Sequence, residues 1–237
     1  MPILTTLPDQ LFLNPVWTAL ETDHRHLALV AGEASRYPAE VAPFAALASP
    51  TTSALRDLRT LLSADEYVWV AALGDADPAA AQLTLRATIE VLQMVLPATV
   101  ELPAPVPAIV PLDCTRAAEM VALTDVAFPG FFRPRTCEMG DYFGICAEDR
   151  LVAMGGERLV FPGYSEISGL CTHPDHRGKG HAAQLLWNLA QLHRSRGVVS
   201  WLHVTATNQG AVNLYLKLGF QTVRGIRLHQ LSCAREV

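Results

Sequence analysis

Two short segments near the C-terminal end of the chain constrain its fold most strongly. In the first, the sequence Arg-Gly-Lys-Gly-His-Ala at residues 177–182 places two glycines directly before an amphipathic helix. A turn of this kind presents backbone N–H groups at the positive end of a helix, where they can bind an anion without a dedicated side chain. The second segment begins at Asn208, twenty-six residues after Ala182, and predicts a short helix that ends at Gly219.

The patterns around these segments predict a mixed α/β fold. Strands are expected at 109–112, 142–147, 151–159, 166–172 and 201–205, and helices at 113–123, 181–196 and 211–218. Residues 220–224 and 227–231 are predicted to form a closing β-hairpin. Upstream, leucine spacing predicts a helix at 52–62, and β-rich runs predict strands at 66–73 and 82–91.

A proline-rich stretch predicts the domain organisation. Five prolines lie between residues 97 and 111, and proline removes backbone donors and fixes φ, so an extended linker is expected. This gives an N-terminal α+β domain at 1–96, a linker at 97–108 and a C-terminal domain at 109–237. The first domain has no recognisable motif, so its expected role is to shape the site or to dimerise, and a homodimer is among the expected assemblies.

Composition limits the classes of function. Half of the 237 residues are hydrophobic and 17% are charged, which predicts a folded chain with a sizeable core. No run of about eighteen apolar residues predicts a membrane span, and the first residues lack a signal-peptide pattern. The five cysteines form no Cys-x-x-Cys pair. They are expected to be reduced thiols, and the predicted localisation is cytoplasmic.

Charge is distributed unevenly along the chain. The net charge is −5, yet residues 176–235 contain eight Lys and Arg and no Asp or Glu. This predicts a surface that attracts a polyanionic ligand, the alternative being chance clustering on a solvated face. The basic residues are spread over the whole segment, which argues against nucleic acid as the partner. A phosphorylated cofactor fits better.

The glycine turn has two rivals among phosphate-binding loops. A dinucleotide fold needs an acidic residue about twenty positions after the turn, and the first one here is Glu236. A Walker loop is excluded because the chain lacks its Gly-Lys-Ser/Thr ending. The pattern that remains is Arg-x-x-Gly-x-Ala, beginning at Arg177.

Together the two segments resemble the acetyl-CoA site of the GNAT superfamily of N-acetyltransferases. The second segment has its pattern Asn-x-x-Ala-x-x-x-Tyr-x-x-x-Gly-Phe from Asn208 to Phe220. The resemblance covers residues 109–231. It implies a GNAT-like acyl-CoA acyltransferase fold in the C-terminal half, preceded by a divergent α+β half. Residues 166–174 are similar to a branch that includes glycine N-acyltransferase-like enzymes.

The resemblance also implies how the cofactor binds. The backbone of Leu170, Cys171 and Thr172 is expected to pair with the pantetheine arm, and Asn208 to bind beside it. The pyrophosphate is expected on the N–H groups of Arg177, Gly178, Lys179, Gly180, His181, Ala182 and Ala183. No metal is expected. Cys171 is expected to be inert packing, because the superfamily transfers acetyl directly.

Tyr215 is the residue expected, by the same resemblance, to donate a proton to the leaving thiolate. Two residues are candidates for the base: Glu166, eleven residues before Arg177, and His203, five before Asn208. Glu166 ranks slightly first, although a histidine titrates near neutral pH without further tuning. The structural alternatives are a charged glutamate at a sheet rim and a satisfied histidine in the sheet.

The resulting prediction is an N-acetyltransferase that transfers an acetyl or short acyl group from acetyl-CoA to a primary amine. The acceptor is expected to be a small molecule or an amino acid that attacks directly. One alternative acceptor is a peptide N-terminus or a lysine side chain. An alternative of another class is a CoA-binding regulatory module without turnover.

Overall fold

The computed structural model describes residues 9–64, 66–104, 108–127 and 129–234. The helices within these ranges are α1 (Asp9–Phe12), α2 (Pro15–Glu21), α3 (Thr52–Thr60), α4 (Ala117–Ala127), α5 (His181–Ser195) and α6 (Gln209–Lys217). The strands are β1 (Leu29–Ala31), β2 (Ala34–Arg36), β3 (Phe44–Leu47), β4 (Tyr67–Ala71), β5 (Leu83–Val95), β6 (Ile109–Leu112), β7 (Tyr142–Ala147), β8 (Arg150–Phe161), β9 (Tyr164–Thr172), β10 (Val199–Thr205) and β11 (Gln221–Cys233).

These strands form one continuous sheet in the order β1-β2-β3-β4-β11-β5-β10-β9-β8-β7-β6. Two neighbouring pairs, β3 with β4 and β9 with β10, run parallel. The remaining neighbours are antiparallel. The predicted mixed α/β fold is therefore confirmed.

Strand β5 joins the two halves of the chain. It lies before the proline-rich stretch, yet it pairs with β10 from Val91↔Thr205 to Val95↔Trp201 and with β11 along most of its length. The boundary at 97–108 stays a prediction, and residues 105–107 of that stretch lie outside the described residues. If the chain divides there, the N-terminal segment supplies β5 as a central strand to the sheet of the C-terminal segment.

The largest apolar cluster also combines both halves. Phe12 of α1 packs edge-on against Phe161 and Trp201, at ring-centroid distances of 5.3 and 4.8 Å. Nearby, the Thr136 hydroxyl donates to the Val41 carbonyl at 2.6 Å. Aromatic burial is among the larger contributions to a core. The described residues on both sides of the proline-rich stretch therefore share one core on this side of the sheet.

The helices near the predicted site agree closely with expectation. The predicted helix 181–196 is α5, followed by Gly197 at a φ of +70°. A glycine in this left-handed conformation ends a helix without a Cβ clash. At the predicted helix start, the Asp113 side chain accepts from the Thr115 N–H at 2.9 Å, although one 3₁₀ turn precedes α4.

The predicted closing hairpin at 220–231 is wrong. Strand β11 runs from Gln221 to Cys233 with two register shifts against β5 and no turn. Gly225, between the two predicted arms, pairs with Leu92 inside the ladder. The long partner strand β5 keeps the backbone extended, since every β11 residue in the ladder gains a cross-strand neighbour.

The prediction that all cysteines are reduced is wrong for one pair. Cys114 and Cys137 form a disulfide, with their Cα atoms 5.5 Å apart. The turn before α4 and the turn at Thr136–Met139 bring them together although 23 positions separate them. Cys146, Cys171 and Cys233 are free thiols.

Candidate active site

Strands β9 and β10 part from each other in the middle of the sheet. Their parallel pairing covers three residue pairs, from Tyr164↔Val199 to Glu166↔Trp201. Beyond that point β10 continues to pair with β5 as far as Thr205. The edge of β9 that faces β10 is thus left without a strand partner. The N–H and C=O groups of such an edge can pair with an extended ligand, as in strand addition.

A glycine bulge lies just beyond the last β9–β10 pair. Gly169 has a φ of +63°, and the register of β8 against β9 shifts between Met154↔Cys171 and Gly156↔Ser168. A left-handed φ favours glycine because any Cβ adds strain there. The extra residue of a bulge bends its strand, and here the bend coincides with the separation from β10.

A cavity of about 160 Å³ occupies the opening between the two strands. Residues 167–170 of β9 and 203–205 of β10 form its two sides, and Tyr215 of α6 forms part of its wall. Phe44 and Ile89, from the first half of the chain, close another side. The cavity therefore uses side chains from both halves.

The glycine turn follows β9 and leads into α5, and its backbone is suited to binding an anion. Gly178 and Gly180 have φ values of +77° and +78°, and a Cβ at either position would meet nothing within 4 Å. Gly180 is the N-cap of α5, and because it has no side chain it leaves the first N–H groups of the helix uncapped. The exposed N–H groups of the first turn can therefore be used by a ligand. Arg177 ties the turn to β9 through a 3.3 Å hydrogen bond from its Nε to the Thr172 carbonyl.

The basic segment is only partly available to a ligand. Arg177 and Lys179 are exposed on the turn. Arg194 instead donates to the Val100 carbonyl at 3.0 Å. Arg196 pairs with Asp141. The positive charge next to the turn thus comes from its own two residues and from the helix N-terminus.

Helix α6 presents Asn208 and Tyr215 to the cavity. The Asn208 side-chain oxygen accepts from the Ala211 N–H at 3.1 Å and caps the helix. Tyr215 lies two turns further on and packs against Phe220, with ring centroids 5.9 Å apart. Burial raises the pKa of Tyr215 to about 12. Its hydroxyl is therefore protonated at neutral pH.

A line of polar side chains crosses four neighbouring strands below the cavity. Arg158 of β8 donates to both oxygens of Glu166 of β9, from Nε at 2.9 Å and from Nη2 at 2.5 Å. His203 of β10 contacts Glu166 Oε1 through Nδ1 at 2.8 Å, and Gln93 of β5 contacts His203 Nε2 at 3.1 Å. We call these four residues the cross-strand relay. Burying these polar side chains destabilises the fold unless each one forms a hydrogen bond with its neighbour in the relay.

The relay fixes the charge of Glu166. Burial of its carboxylate, which is 0% exposed, would raise its pKa, but Arg158 and His203 lower the pKa from 4.5 to about 2. A carboxyl group whose folded-state pKa is depressed stabilises the fold above its unfolded pKa, and this stabilisation is lost as the pH falls towards 2. Above that range Glu166 is ionised and both of its oxygens are engaged.

The relay also sets the tautomer of His203. A carboxylate can only accept a hydrogen bond and an amide NH₂ can only donate one. The proton of the imidazole therefore belongs on Nδ1, facing Glu166, while Nε2 accepts from Gln93. The Gln93 amide is held in turn by the Phe12 carbonyl at 2.8 Å.

The structure brings some of the predicted site residues together and separates others. The cavity lining includes four of them, namely Leu170, His203, Asn208 and Tyr215. Glu166 and Cys171 are buried outside that lining. Burial raises the pKa of the Cys171 thiol to about 12, so little thiolate is present for a covalent step. Residues 177–183 lie outside the cavity lining, in the turn before α5 and in its first residues.

Sequence reasoning missed three residues of this site. Arg158 and Gln93 are polar residues in β8 and β5, each beside an apolar neighbour. The available signal was that a polar side chain in such a position needs a buried partner. Gly169 is a glycine inside a predicted strand, which can mark a bulge. None of these signals identifies the partner strand, because that pairing is long-range.

Comparison with known proteins agrees with this geometry. The profile of the Acetyltransferase (GNAT) family matches residues 116–220. A crystal structure of a GNAT-family protein from Novosphingobium aromaticivorans is 32% identical to the chain, with a TM-score of 0.85, and the alignment covers 94% of this chain and 98% of that one. The chain belongs to the GNAT acetyltransferase family. The resemblance inferred from the glycine turn and the Asn208–Phe220 segment is thereby confirmed.

Curated GNAT relatives match over shorter segments. A ribosomal protein bS18 alanine N-acetyltransferase from Salmonella typhimurium is 34% identical over 77 residues, and an uncharacterised N-acetyltransferase from Bacillus subtilis is 30% identical over 83. The matches cover 32% and 35% of this chain, and 51% and 33% of those relatives. A GCN5-related N-acetyltransferase from Kribbella flavida, 17% identical with a TM-score of 0.61, shares the fold over 98% of this chain and 97% of its own.

The described helices and acidic, histidine and cysteine side chains bear on membranes and metals. In the ranges that the structure describes, no helix combines the length and apolar character needed to cross a bilayer. Across those same ranges, no group of three or more His, Cys, Asp and Glu side chains is arranged to hold a metal ion.

A charge test at Gly180 checks the anion-binding surface. Asn and Asp have the same shape and both tolerate a left-handed φ, and the space around Gly180 is open. We expect Gly180→Asn to retain CoA affinity within a few-fold. Gly180→Asp should bind CoA about 10-fold or more weakly than the Asn variant, because its carboxylate faces the phosphates. Calorimetry gives both affinities, and equal values for the two folded variants would contradict this assignment.

Proposed function

We propose that this GNAT protein transfers an acetyl or short acyl group from acyl-CoA to a primary amine by direct attack. The observation that carries the proposal is the cavity at the β9–β10 separation, which has Tyr215 and His203 in its lining and the α5 glycine turn beside it. A donor proton, an acceptor nitrogen and an anion site are then within reach of one bound thioester.

The residues present fit a bound CoA ester. The open edge of β9 at residues 170–172 offers backbone groups to the amides of a pantetheine arm. The turn at residues 177–183 offers N–H groups and two basic side chains to the pyrophosphate. Asn208 and Ala211 line the cavity between these two surfaces and Tyr215. The acyl carbonyl would then lie in the cavity.

Tyr215 is proposed as the acid. When the amine nitrogen bonds to the acyl carbon and the C–S bond breaks, the sulfur leaves with the electron pair and needs a proton. The Tyr215 hydroxyl is protonated at neutral pH, because burial raises its pKa to about 12. It can supply that proton, and the tyrosine regains one from solvent after the products leave.

For the base, we propose His203 in preference to Glu166. A general base works best when its pKa is near the operating pH, whereas the Glu166 pKa is lowered to about 2 by Arg158 and His203 in spite of its burial. His203 lines the cavity and carries a lone pair on Nε2. The amine, or a water beside it, would replace Gln93 as the partner of Nε2. Glu166 then acts as a positioning residue that holds the Nδ1–H.

The base matters because the acceptor must be uncharged to attack. For a lysine-like amine with a pKa of about 10.4, loss of the proton at pH 7 costs about 5 kcal/mol. A well-placed base contributes about 10²–10⁴-fold to the rate. The rest of the cost must be met by binding the amine in an apolar cavity, where the neutral form is favoured.

A peptide N-terminus is the second candidate acceptor. It is supported by the matched Salmonella relative, whose name gives an alanine of ribosomal protein bS18 as its acceptor. The enclosure of the cavity by Phe44 and Phe131 favours a small molecule instead. A CoA-binding module without turnover is the remaining alternative. Release of free thiol from acetyl-CoA in the presence of an amine library separates an enzyme from such a module.

Replacement of Tyr215 by Phe tests the acid. The ring keeps its packing against Phe220 and only the proton donor is lost. We expect unchanged folding, near-normal acetyl-CoA affinity and a kcat lower by about 10-fold or more. Tyr164→Phe, outside the cavity lining, is the matched control and should leave kcat within about 2-fold. A Tyr215→Phe enzyme with full kcat would remove Tyr215 from the mechanism.

Replacement of each candidate base tests the relay through pH. Glu166 is ionised throughout pH 5–9, since its folded pKa is depressed to about 2, so it produces no limb of the profile in that range. We expect His203→Gln to lose the acidic limb of kcat/KM and Glu166→Gln to keep it at a reduced rate. Thermal melting checks that each variant folds. If Glu166→Gln alone loses the acidic limb of kcat/KM, Glu166 is the base. If both variants keep that limb, it belongs to the titration of the amine or of water.

A further inference from the structure

The charge of the acceptor cavity differs from that expected of a site for a simple amine cation. Among the described residues that line the cavity, Arg158 is the one side chain with a permanent charge, and no carboxylate belongs to the lining. His203 is held by Glu166 at Nδ1 and by Gln93 at Nε2. Phe44, Phe131 and Leu228 make the opposite wall apolar. A diamine or a lysine side chain would find no negative partner here.

Arg158 has one nitrogen that remains available to a ligand. Glu166 uses Nε and Nη2, and within the described residues Nη1 makes no hydrogen bond. The guanidinium carbon lies 4.8 Å from the centre of the Phe44 ring, which fixes the plane of the group. A guanidinium can bind two carboxylates at different edges, because it carries five N–H donors in a rigid plane.

A small recess continues the cavity at Arg158. Its volume is about 20 Å³, and it shares Phe131, Arg158, Ser168 and Gly169 with the cavity. Tyr142 also lines the recess, and burial raises the pKa of its hydroxyl, so this group stays neutral. An anionic group at this end would meet the Arg158 cation and neutral hydroxyls. The nearby Glu166 carboxylate lies outside the lining, and both of its oxygens are engaged by Arg158 and His203.

The relay also fixes the spacing between the two ends of a substrate. Arg158 Nη2 and His203 Nδ1 both contact the same atom, Glu166 Oε1, at 2.5 and 2.8 Å. The guanidinium and the imidazole therefore lie next to each other, on either side of one carboxylate oxygen. An acceptor that carries an anion and an amine close together, such as an α-amino acid, suits this pair.

We propose that the acceptor is an α-amino acid with an apolar side chain. Its carboxylate binds Arg158 at Nη1, its amine lies near His203, and its side chain packs against Phe44 and Phe131. This inference rests on the proposed function and names the substrate class of that same site. It also gives the first half of the chain a role, because Phe44 would select the side chain.

A matched set of three amines tests the carboxylate. L-Phenylalanine, L-phenylalaninamide and phenethylamine share the ring and the amine and differ at the carboxylate. Thiol release from acetyl-CoA should give L-phenylalanine a kcat/KM about 10-fold or more above that of the other two, since a charge-assisted hydrogen bond is lost. Glycine, which lacks the apolar side chain, should be slower than L-phenylalanine. Equal or better use of the amide would overturn the proposal.

The outcomes separate the proposal from the function on which it rests. Turnover of amines without a carboxylate preference overturns the substrate class alone. Binding of CoA without thiol release from any amine overturns both. Calorimetry adds a readout independent of turnover: in the presence of CoA, N-acetyl-L-phenylalanine should bind about 10-fold more tightly than N-acetyl-L-phenylalaninamide.

A double variant assigns the preference to Arg158. Arg158→Met combined with Glu166→Gln removes both charges of the buried pair, so neither remains unpaired. The kcat/KM ratio of L-phenylalanine to its amide should fall to about one. Arg150→Met, an exposed position at the start of the same strand, is the control and should keep the wild-type ratio. A folded double variant that keeps the wild-type kcat/KM ratio of L-phenylalanine to its amide would overturn the role of Arg158. The variant Arg158→Lys retains the charge and should keep part of the preference for the carboxylate.

Discussion

The pairing of β10 with β5 is the constraint on which the rest of the structure depends. A strand has two edges, and β10 uses one of them for β5 from Trp201 to Thr205 while the other edge pairs with β9 only as far as Trp201. Backbone groups that leave a ladder must find other partners. The open edge of β9 is therefore suited to a ligand with its own amides, and the cavity is a consequence of how the sheet is ordered.

The same strand order explains the buried charges. The strands β5, β10, β9 and β8 are consecutive in the sheet, and each contributes one member of the cross-strand relay. Loss of one partner of a buried ion pair costs about 3–5 kcal/mol of stability, because the other charge is left unpaired. Arg158 and Glu166 therefore depend on each other to remain buried and charged. The relay gives the cavity an imidazole and a guanidinium, and these two groups limit the chemistry that the opening can support.

The sequence predicted the local parts of this arrangement and missed the long-range ones. The glycine turn, α5 and α6 were predictable because their signals lie within a few residues, and Tyr215 could be placed from its spacing to Asn208. The pairing of Gln93 with His203 was not predictable, since 110 positions separate them. The prediction of a closing hairpin was wrong for a related reason. Gly225 lies inside β11 and pairs with Leu92 of β5, and no local pattern in the sequence shows that partner strand. The Cys114–Cys137 pair likewise depends on how two turns meet.

Hydrogen exchange measured upon addition of acetyl-CoA can show whether the separation of β9 and β10 forms the binding site. We expect slower exchange in two separate segments, at the open edge of β9 near residues 169–172 and at the turn near residues 178–183. The edge strand β1 should be unaffected, because it lies far across the sheet from β9. Protection of the turn alone, with unchanged exchange in β9, would contradict the claim that the separation of β9 and β10 forms the acyl-CoA site.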